Sequence, residues 1–308
     1  MEVIITITPI FVIILLGWVA RKKGFISAEF LEPANRLVYY ISIPALIFNS
    51  IAKTSFQEQF NLKLLFLTLL AAVILYVSAE LFARLSRMTS ARAGAFVQSS
   101  GHGNLGYIGL PIALYYLGDD GLAKAGIICG FLMILQNFLS VVFLQLHVNS
   151  TNRLPDIRQL LKKLLGNPVI IGAMGGILVS VMKIPVPKVI GIVFHILGGL
   201  APPMALLLIG ASISVRLVRV YWRPALGAVM LKLLILPFLG VVFFRVCDLT
   251  PEEYLPALIL LCSPTATLAY VMAREMGGDA DFAVAAISAS TLFSSLTFIL
   301  WLAVITHI

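Results

Sequence analysis

The polar residues best suited to bind a ligand lie in two short stretches that interrupt apolar sequence. The first, FVQSSGHGNLGYIGLPIALYYLG (residues 96–118), carries the amide of Asn104. Glycine lowers helix propensity and proline removes a backbone donor, so this stretch is predicted to unwind in the middle of a helix. The residues expected to break the helix are Gly103, Gly106, Gly109 and Pro111. Unwound backbone of this kind is tolerated within a membrane only where it lines a polar cavity.

The second stretch is LLCSPTATLAYVMAREMGG (residues 260–278), which contains Pro264. Its Ser263 is predicted to cap a helix whose first residue is Pro264. The hydroxyl groups of Ser263 and Thr265 have two open interpretations. They hydrogen-bond a ligand group such as a carboxylate, or they satisfy the freed carbonyl groups of their own helix.

Four amide side chains are further candidates for substrate contact. Asn104 either touches the substrate or caps the helix that follows it. Gln136 and Asn137 lie deep in another apolar segment, where an amide is costly unless it is paired. They face the cavity or hydrogen-bond between helices. Asn49 closes a proline-containing segment that is expected to enter the same polar centre.

Three titratable residues within the apolar segments are candidates for coupling or ion pairing. His102 is a candidate for proton coupling, because histidine titrates near neutral pH, or it is a neutral capping residue. Glu80 and Lys232 are candidates for an ion pair that breaks when the helices move, although Lys232 could instead extend to the interface. A nucleophile made of Ser99 or Ser100 with His102 would have little room, since these residues are almost adjacent. We therefore expect no enzymatic activity.

Cofactor and metal motifs are not found in the sequence. Cys129, Cys247 and Cys262 show no paired spacing, and there is no zinc motif, nucleotide-binding loop or nucleophile elbow. We expect neither a cofactor nor a metal centre. Sodium coupling stays open, because carbonyl and hydroxyl oxygens alone can hold that ion.

The composition predicts an integral membrane protein. The 308 residues are 60% hydrophobic and only 12% charged, far from the quarter typical of soluble domains. Apolar segments of about 20 residues recur without strand-like alternation, so the spans are predicted to be helices. Ten are expected, at residues 3–20, 33–52, 62–85, 93–117, 121–146, 166–183, 187–213, 223–247, 252–276 and 280–305.

The net charge of +8 follows membrane topology. Most lysines and arginines fall in the loops after odd-numbered spans, as in Arg21–Lys23 and Arg84–Arg92. This positive-inside bias predicts that those loops are cytoplasmic and that both termini are extracytoplasmic in the inner or plasma membrane. It argues against a nucleic-acid partner.

The two halves of the chain align at a constant distance. Pro9 and Pro168 are 159 residues apart (168 − 9), as are Pro44 and Pro203 (203 − 44). We predict one five-helix repeat in residues 1–146, a cytoplasmic linker at 147–165 and a second repeat in residues 166–308. Because each repeat has an odd number of spans, the second is inverted. The broken fourth and ninth helices would cross, and the N-termini of their second halves would favour an anion.

Several sequence blocks resemble the auxin efflux carrier family. They include GNLGYIGLPIALYYLG (103–118), IPALIFNSI (43–51) and SPTATLAYVMAREMGGDADFA (263–283), in the family's order and across nearly the whole chain. The resemblance implies ten helices in two inverted repeats, as in bile-acid symporters. It also implies transport of organic anions, of which malate- or malonate-type carboxylates are the bacterial examples. The short central loop is similar to that of bacterial members.

The sequence therefore predicts a secondary carrier of a small organic anion that works by alternating access. A sodium-coupled, bile-acid-like symporter is the alternative, and an intramembrane enzyme is a remote one. Expected partners are the anion, the lipid bilayer, a proton or sodium ion for coupling, and a second copy of the chain in a homodimer.

Overall fold

The computed structural model describes residues 2–148 and 166–306. The predicted linker at 147–165, with its arginines and lysines, lies almost entirely outside these residues. The described residues form helices and connecting segments, without a strand. The helices are α1 Glu2–Lys22, α2 Ala28–Leu37, α3 Ile43–Ala52, α4 Phe56–Gln59, α5 Leu62–Leu85, α6 Ser90–Gly101, α7 Leu110–Val148, α8 Pro168–Val181, α9 Lys188–Gly199, α10 Ala201–Ala211, α11 Val215–Val220, α12 Trp222–Met230, α13 Leu236–Val246, α14 Pro251–Cys262, α15 Leu268–Glu275 and α16 Ala280–Thr306. Three π-helical turns, Val38–Ser42, Leu105–Gly109 and Leu231–Ile235, join neighbouring helices.

Six helical segments of the described chain are long and apolar enough to cross a membrane. They are Val3–Lys22, Leu62–Leu85, Leu105–His147, Lys188–Ala211, Trp222–Val246 and Ala280–Ile305. This finding supports a multi-pass membrane protein. These six segments do not test the prediction of ten spans in inverted repeats, which stays a prediction.

The remaining predicted spans contain helices that are shorter or interrupted. Residues 33–52 are divided by the π-helical turn Val38–Ser42, and residues 166–183 hold only the 14-residue helix α8. Residues 93–117 and 252–276 are each interrupted by a non-helical segment. Gly118, with a φ of 73°, separates the predicted spans 93–117 and 121–146 within α7. An L-residue with a side chain rarely adopts that conformation.

The chain folds into two compact units, each drawn from both halves of the sequence. The first comprises Met1–Leu62, Leu105–Met133 and Lys163–Ser212, and the second comprises Lys63–Asn104, Ile134–Lys162 and Ile213–Ile308. These units interleave along the chain. They therefore do not coincide with the sequence repeats, which are defined by similarity and not by compactness.

Glycines allow helices of the first unit to pack closely. A Cβ atom on Gly210 of α10 would lie 1.8 Å from the carbonyl oxygen of Ile14 in α1. Gly17 meets Leu207 in the same way, at 2.1 Å. Small residues at such crossings are typical of membrane helices, where close backbone approach replaces the hydrophobic effect as the source of association.

The second unit is built around the final helix, α16, which packs against α6, α11, α12, α14 and α15. Aromatic rings fill its core, including Phe96 and Phe282, whose centroids lie 6.2 Å apart. Asp279 immediately precedes α16 and caps it: its Oδ1 accepts from the backbone N–H of Phe282 at 3.0 Å, and its Oδ2 accepts from Arg92 at 3.0 Å. These contacts fix the start of α6 against the start of α16.

Candidate functional site

The first break in a helix lies near the start of the glycine-rich stretch. Of the residues expected to break the helix, only Gly103 is non-helical, whereas Gly106 and Gly109 lie in the π-helical turn Leu105–Gly109 and Pro111 lies in α7. Helix α6 ends at Gly101, and helical structure resumes with the π-helical turn at Leu105. A Cβ atom on Gly101 would lie 2.2 Å from the ring of Tyr76, so only glycine admits that ring. The intervening residues His102, Gly103 and Asn104 are non-helical and buried.

The second break follows α14, which ends at Cys262, and α15 begins only at Leu268. Ser263 has extended backbone angles (φ −61°, ψ 135°). Because helical structure resumes only at Leu268, the prediction that Ser263 caps a helix starting at Pro264 is wrong. Residues 263–266 are non-helical, Pro264 to Ala266 pair with the other break, and the residue that precedes the helix is Thr267.

The two breaks hydrogen-bond to each other. Gly103 and Thr265 form an isolated antiparallel β-bridge. The Asn104 N–H donates to the carbonyl oxygen of Pro264 at 2.7 Å, and the Ala266 N–H donates to that of His102 at 2.9 Å. Backbone groups freed by each interruption are thus satisfied by the other, which avoids a cost of several kcal/mol per buried unpaired group.

Side chains satisfy the other two amide groups of the bridge. Gln136 Oε1 accepts from the Gly103 N–H at 3.1 Å, and Ser290 Oγ accepts from the Thr265 N–H at 3.0 Å. Gln136 is 1% exposed, and its Nε2 has no hydrogen-bond partner within residues 2–148 and 166–306. Gln136 therefore supports the first break with one end of its amide and retains a buried donor at the other end.

A chain of buried polar side chains continues from Gln136. Tyr76 Oη donates to the backbone carbonyl oxygen of Gln136 at 3.2 Å and lies 2.9 Å from Ser140 Oγ. Ser140 Oγ also lies 3.0 Å from His102 Nδ1. Sequence reasoning missed Tyr76 and Ser140. The signal for Ser140 was its position one helical turn after Gln136, on the same face of α7.

The hydroxyl groups near the second break bond within the protein. Ser263 Oγ donates to the carbonyl oxygen of Ile259 at 3.1 Å. This bond corresponds to the second of the two interpretations of Ser263, in which its hydroxyl satisfies a carbonyl group of the adjoining helix. Thr265 Oγ1 donates to the carbonyl oxygen of Ser99 at 2.8 Å. In this conformation both hydroxyl groups stabilise the broken backbone.

Besides Gln136 Nε2, three other buried polar atoms near the breaks have no hydrogen-bond partner in the described part of the chain. They are both amide atoms of Gln98 and the hydroxyl of Ser99. Ser100 Oγ donates to the Phe96 carbonyl oxygen at 2.8 Å. Because Ser140 is the partner of His102 Nδ1, neither Ser99 nor Ser100 forms the pair that a serine nucleophile requires.

The proposed pair of Glu80 and Lys232 is not formed in this structure. Glu80 is paired with Arg84 and with His147, whose Nε2 lies 2.7 Å from its carboxylate. Lys232 is fully buried and donates to the carbonyl oxygen of Leu261 at 3.2 Å. It lies in the π-helical turn Leu231–Ile235 and caps the end of α14 beside the second break.

The remaining predicted residues lie elsewhere or are less buried. Asn104 is 4% exposed and belongs to the break itself, whereas Asn137 is half-buried on α7. Asn49 belongs to the first unit, where it lines a cavity with Lys53 and Lys188. Within the described residues, no cluster of His, Cys, Asp and Glu could hold a metal ion.

Helices long and apolar enough to cross a membrane place the chain in the class of membrane proteins, and the family comparison places it among membrane transporters. The sequence model of the family described as "Membrane transport protein" matches residues 2–302. The chain therefore belongs to this family, the auxin efflux carrier family, which confirms the resemblance found in the sequence.

Three curated relatives are similar over nearly their full lengths. An "Uncharacterized transporter" of Methanothermobacter thermautotrophicus is 23% identical, covering 96% of each chain. The "Uncharacterized transporter MJ1031" of Methanocaldococcus jannaschii is also 23% identical, covering 95% of each. A "Putative malonate transporter" of Rhizobium meliloti is 22% identical over 94% of this chain and 92% of its own.

Proposed function

We propose that this transporter is a secondary carrier of a small organic anion, a carboxylate, which binds at the paired breaks. The observation that carries the proposal is the buried Nε2 donor of Gln136, beside a backbone bridge whose own N–H groups are already bonded. A neutral amide donor in a water-poor site binds a carboxylate through a charge-assisted hydrogen bond.

Charge around the breaks supports an anionic substrate. Neither break contains an acidic residue, and the buried Nζ of Lys232 donates to the helix end beside the second break. A carboxylate at the breaks therefore meets hydrogen-bond donors and no acidic side chain of either break that would repel it. Asn104 is the first-choice contact, together with Gln136 and N–H groups in the first turns after the breaks.

The other predicted contacts receive narrower roles. The hydroxyl groups of Ser263 and Thr265 hold the broken backbone, so they bind substrate only if their bonds rearrange during transport. Asn137 stays a second-choice contact on α7. Asn49 is better assigned to the cavity of the first unit.

The name of one relative supports the proposed class of substrate. The protein from Rhizobium meliloti is named "Putative malonate transporter", and malonate is a small dicarboxylate of the class expected here. We extend this class, not the individual compound, to the present chain.

We further propose ten spans in two inverted five-helix repeats, in the inner or plasma membrane with both termini extracytoplasmic. The support is the 159-residue offset (168 − 9) and the charge distribution in the sequence. Two compact units, each containing segments of both repeats, are what alternating access by motion of rigid bodies needs. We also propose that transport of the anion is coupled to a proton or a sodium ion.

A binding screen tests the assignment of the site. Purified protein is heated with acetate, malonate, malate or a neutral analogue, with sodium or potassium as the cation and at two pH values. We expect at least one carboxylate to raise the melting temperature, and Asn104→Ala to remove most of that rise. A carboxylate that stabilises Asn104→Ala and the original protein equally would overturn the site. Stabilisation that requires sodium would identify a sodium-coupled symporter.

A further inference from the structure

A second candidate binding site lies within the first unit, in a cavity of about 560 Å³. Its polar lining consists of Asn49, Lys53, Lys188 and His195. No acidic residue lines it. Neither lysine forms an ion pair with a described residue, so the cavity carries positive charge without an internal counter-ion.

The helices that form the cavity explain why it is open. Helix α9 packs against α3 so closely at Gly198 that a Cβ atom there would lie 2.8 Å from the Leu46 backbone. Towards its N-terminus, α9 is preceded by a non-helical segment with Pro185 and Pro187, which cannot continue a helix. A Cβ atom on Gly191 would meet only Val186, at 4.0 Å. The two helices therefore touch at one end and leave space at the other.

The rest of the lining is apolar. Phe48 and Phe194 contact each other with ring centroids 4.5 Å apart, and Phe48 forms part of the wall. Ile184, Val186 and Ile192 complete this surface. The cavity thus combines a cationic rim with an apolar wall, which suits an amphipathic anion.

The position of the cavity indicates where such an anion comes from. Lys188 begins the membrane-crossing segment Lys188–Ala211, and Lys53 follows the last residue of α3. Both lysines therefore lie at the ends of apolar helices, where lipid headgroups are found. Beside the cavity, Val189 and Ile196 of α9 are 73% and 66% exposed, as expected for side chains that face lipid.

We propose that this cavity binds an anionic phospholipid of the surrounding membrane. The lysines contact the phosphate, Asn49 donates to the headgroup, and the acyl chain lies along Phe48 and Ile192. The proposal does not depend on the transported substrate, because it concerns a separate cavity lined by other residues.

The test measures lipid binding to the full chain in detergent, by native mass spectrometry and by melting temperature. The probes are dioleoylphosphatidylglycerol, dioleoylphosphatidylcholine and water-soluble glycerol 3-phosphate. We expect the anionic lipid to bind most tightly. The double variant Lys53→Gln/Lys188→Gln should weaken it about 25-fold, since each lysine near an anionic headgroup contributes about fivefold.

Two further variants separate charge from shape. Lys23→Gln/Lys183→Gln removes the same charge from lysines that do not line the cavity, and it should leave lipid binding unchanged. Gly191→Leu fills the cavity while both lysines remain, and it should reduce binding of the anionic lipid at least tenfold, whereas its melting temperature without lipid stays close to that of the original protein.

Several results would overturn the proposal. Equal binding of both lipids would contradict a role for the lysines, as would an unchanged preference in Lys53→Gln/Lys188→Gln. Glycerol 3-phosphate binding as tightly as the lipid would assign the cavity to a free anion. Lysines shielded from amine-reactive reagents in a lipid-free dimer would assign it to a second copy of the chain. Carboxylate binding at the breaks can succeed or fail independently of these outcomes.

Discussion

Substitution of Gln136 by leucine should weaken both the fold and the binding of substrate. The amide oxygen of Gln136 is the acceptor for the buried Gly103 N–H at 3.1 Å. A buried donor left without an acceptor costs about 1–3 kcal/mol. We therefore expect Gln136→Leu to lower the melting temperature by several degrees while the protein still folds.

The effect on binding follows from the other end of the same amide. Nε2 of Gln136 has no hydrogen-bond partner in the described ranges and is available to the substrate. A hydrogen bond to a charged group contributes about 1.5–3 kcal/mol. Its loss should weaken carboxylate binding by between about 10- and 150-fold, since 1.4 kcal/mol corresponds to a factor of ten.

Ser140→Ala is the matched control for this substitution. Ser140 lies one turn along the same helix and hydrogen-bonds Tyr76 and His102, but it gives nothing to the Gly103 N–H. This variant should lose a similar amount of stability and bind carboxylate within about threefold of the original protein. Calorimetric titration at matched pH gives the affinities. A Gln136→Leu variant that is less stable but binds carboxylate unchanged would refute the role of Gln136 in binding.

Three further predictions concern the helix packing, the histidine and the start of the last helix. Gly210→Val should prevent folded protein from assembling in the membrane, because the new Cβ atom would overlap the carbonyl oxygen of Ile14. Gly199→Ala should express normally, because a Cβ atom at Gly199 meets no atom within 4 Å. Size-exclusion profiles of both variants test this difference. If His102 couples protons to transport, His102→Gln should flatten the pH dependence of uptake, and an unchanged pH profile with reduced stability would leave it a structural role. Asp279→Ala should lower stability by about 1–2 kcal/mol through loss of a helix cap, measurable as a shift of the thermal transition, and a transition unchanged from that of the original protein would contradict this.

Sequence reasoning located both breaks because glycine and proline act locally. The glycines and proline around Asn104 predicted an interruption, and the structure is non-helical at residues 102–104, although helical structure resumes at Leu105 and includes Gly106, Gly109 and Pro111. The prediction for Ser263 and Pro264 failed because it used local capping rules alone. The pairing of Gly103 with Thr265, residues distant in sequence, keeps the second break extended.

The supporting side chains were only partly predictable. Gln136 was noticed because an amide deep in an apolar helix needs a partner, but its particular partner, the Gly103 N–H, depends on the tertiary fold. Tyr76 looks like any aromatic residue of a membrane helix, and its contacts with Gln136 and Ser140 leave no local pattern. His195 stands in an apolar stretch with no polar neighbour in the sequence to mark it, yet it lines the cavity with Lys53 and Lys188.

Exchange transport in proteoliposomes tests the central claim most directly. Vesicles loaded with unlabelled malonate, or with whichever carboxylate stabilises the protein best, are diluted into a trace of the labelled compound. We predict transient accumulation of label inside the vesicles, abolished by Asn104→Leu and retained by Ser140→Ala. Vesicles that contain folded protein and accumulate no carboxylate, or that accumulate it equally with Asn104→Leu, would contradict the account.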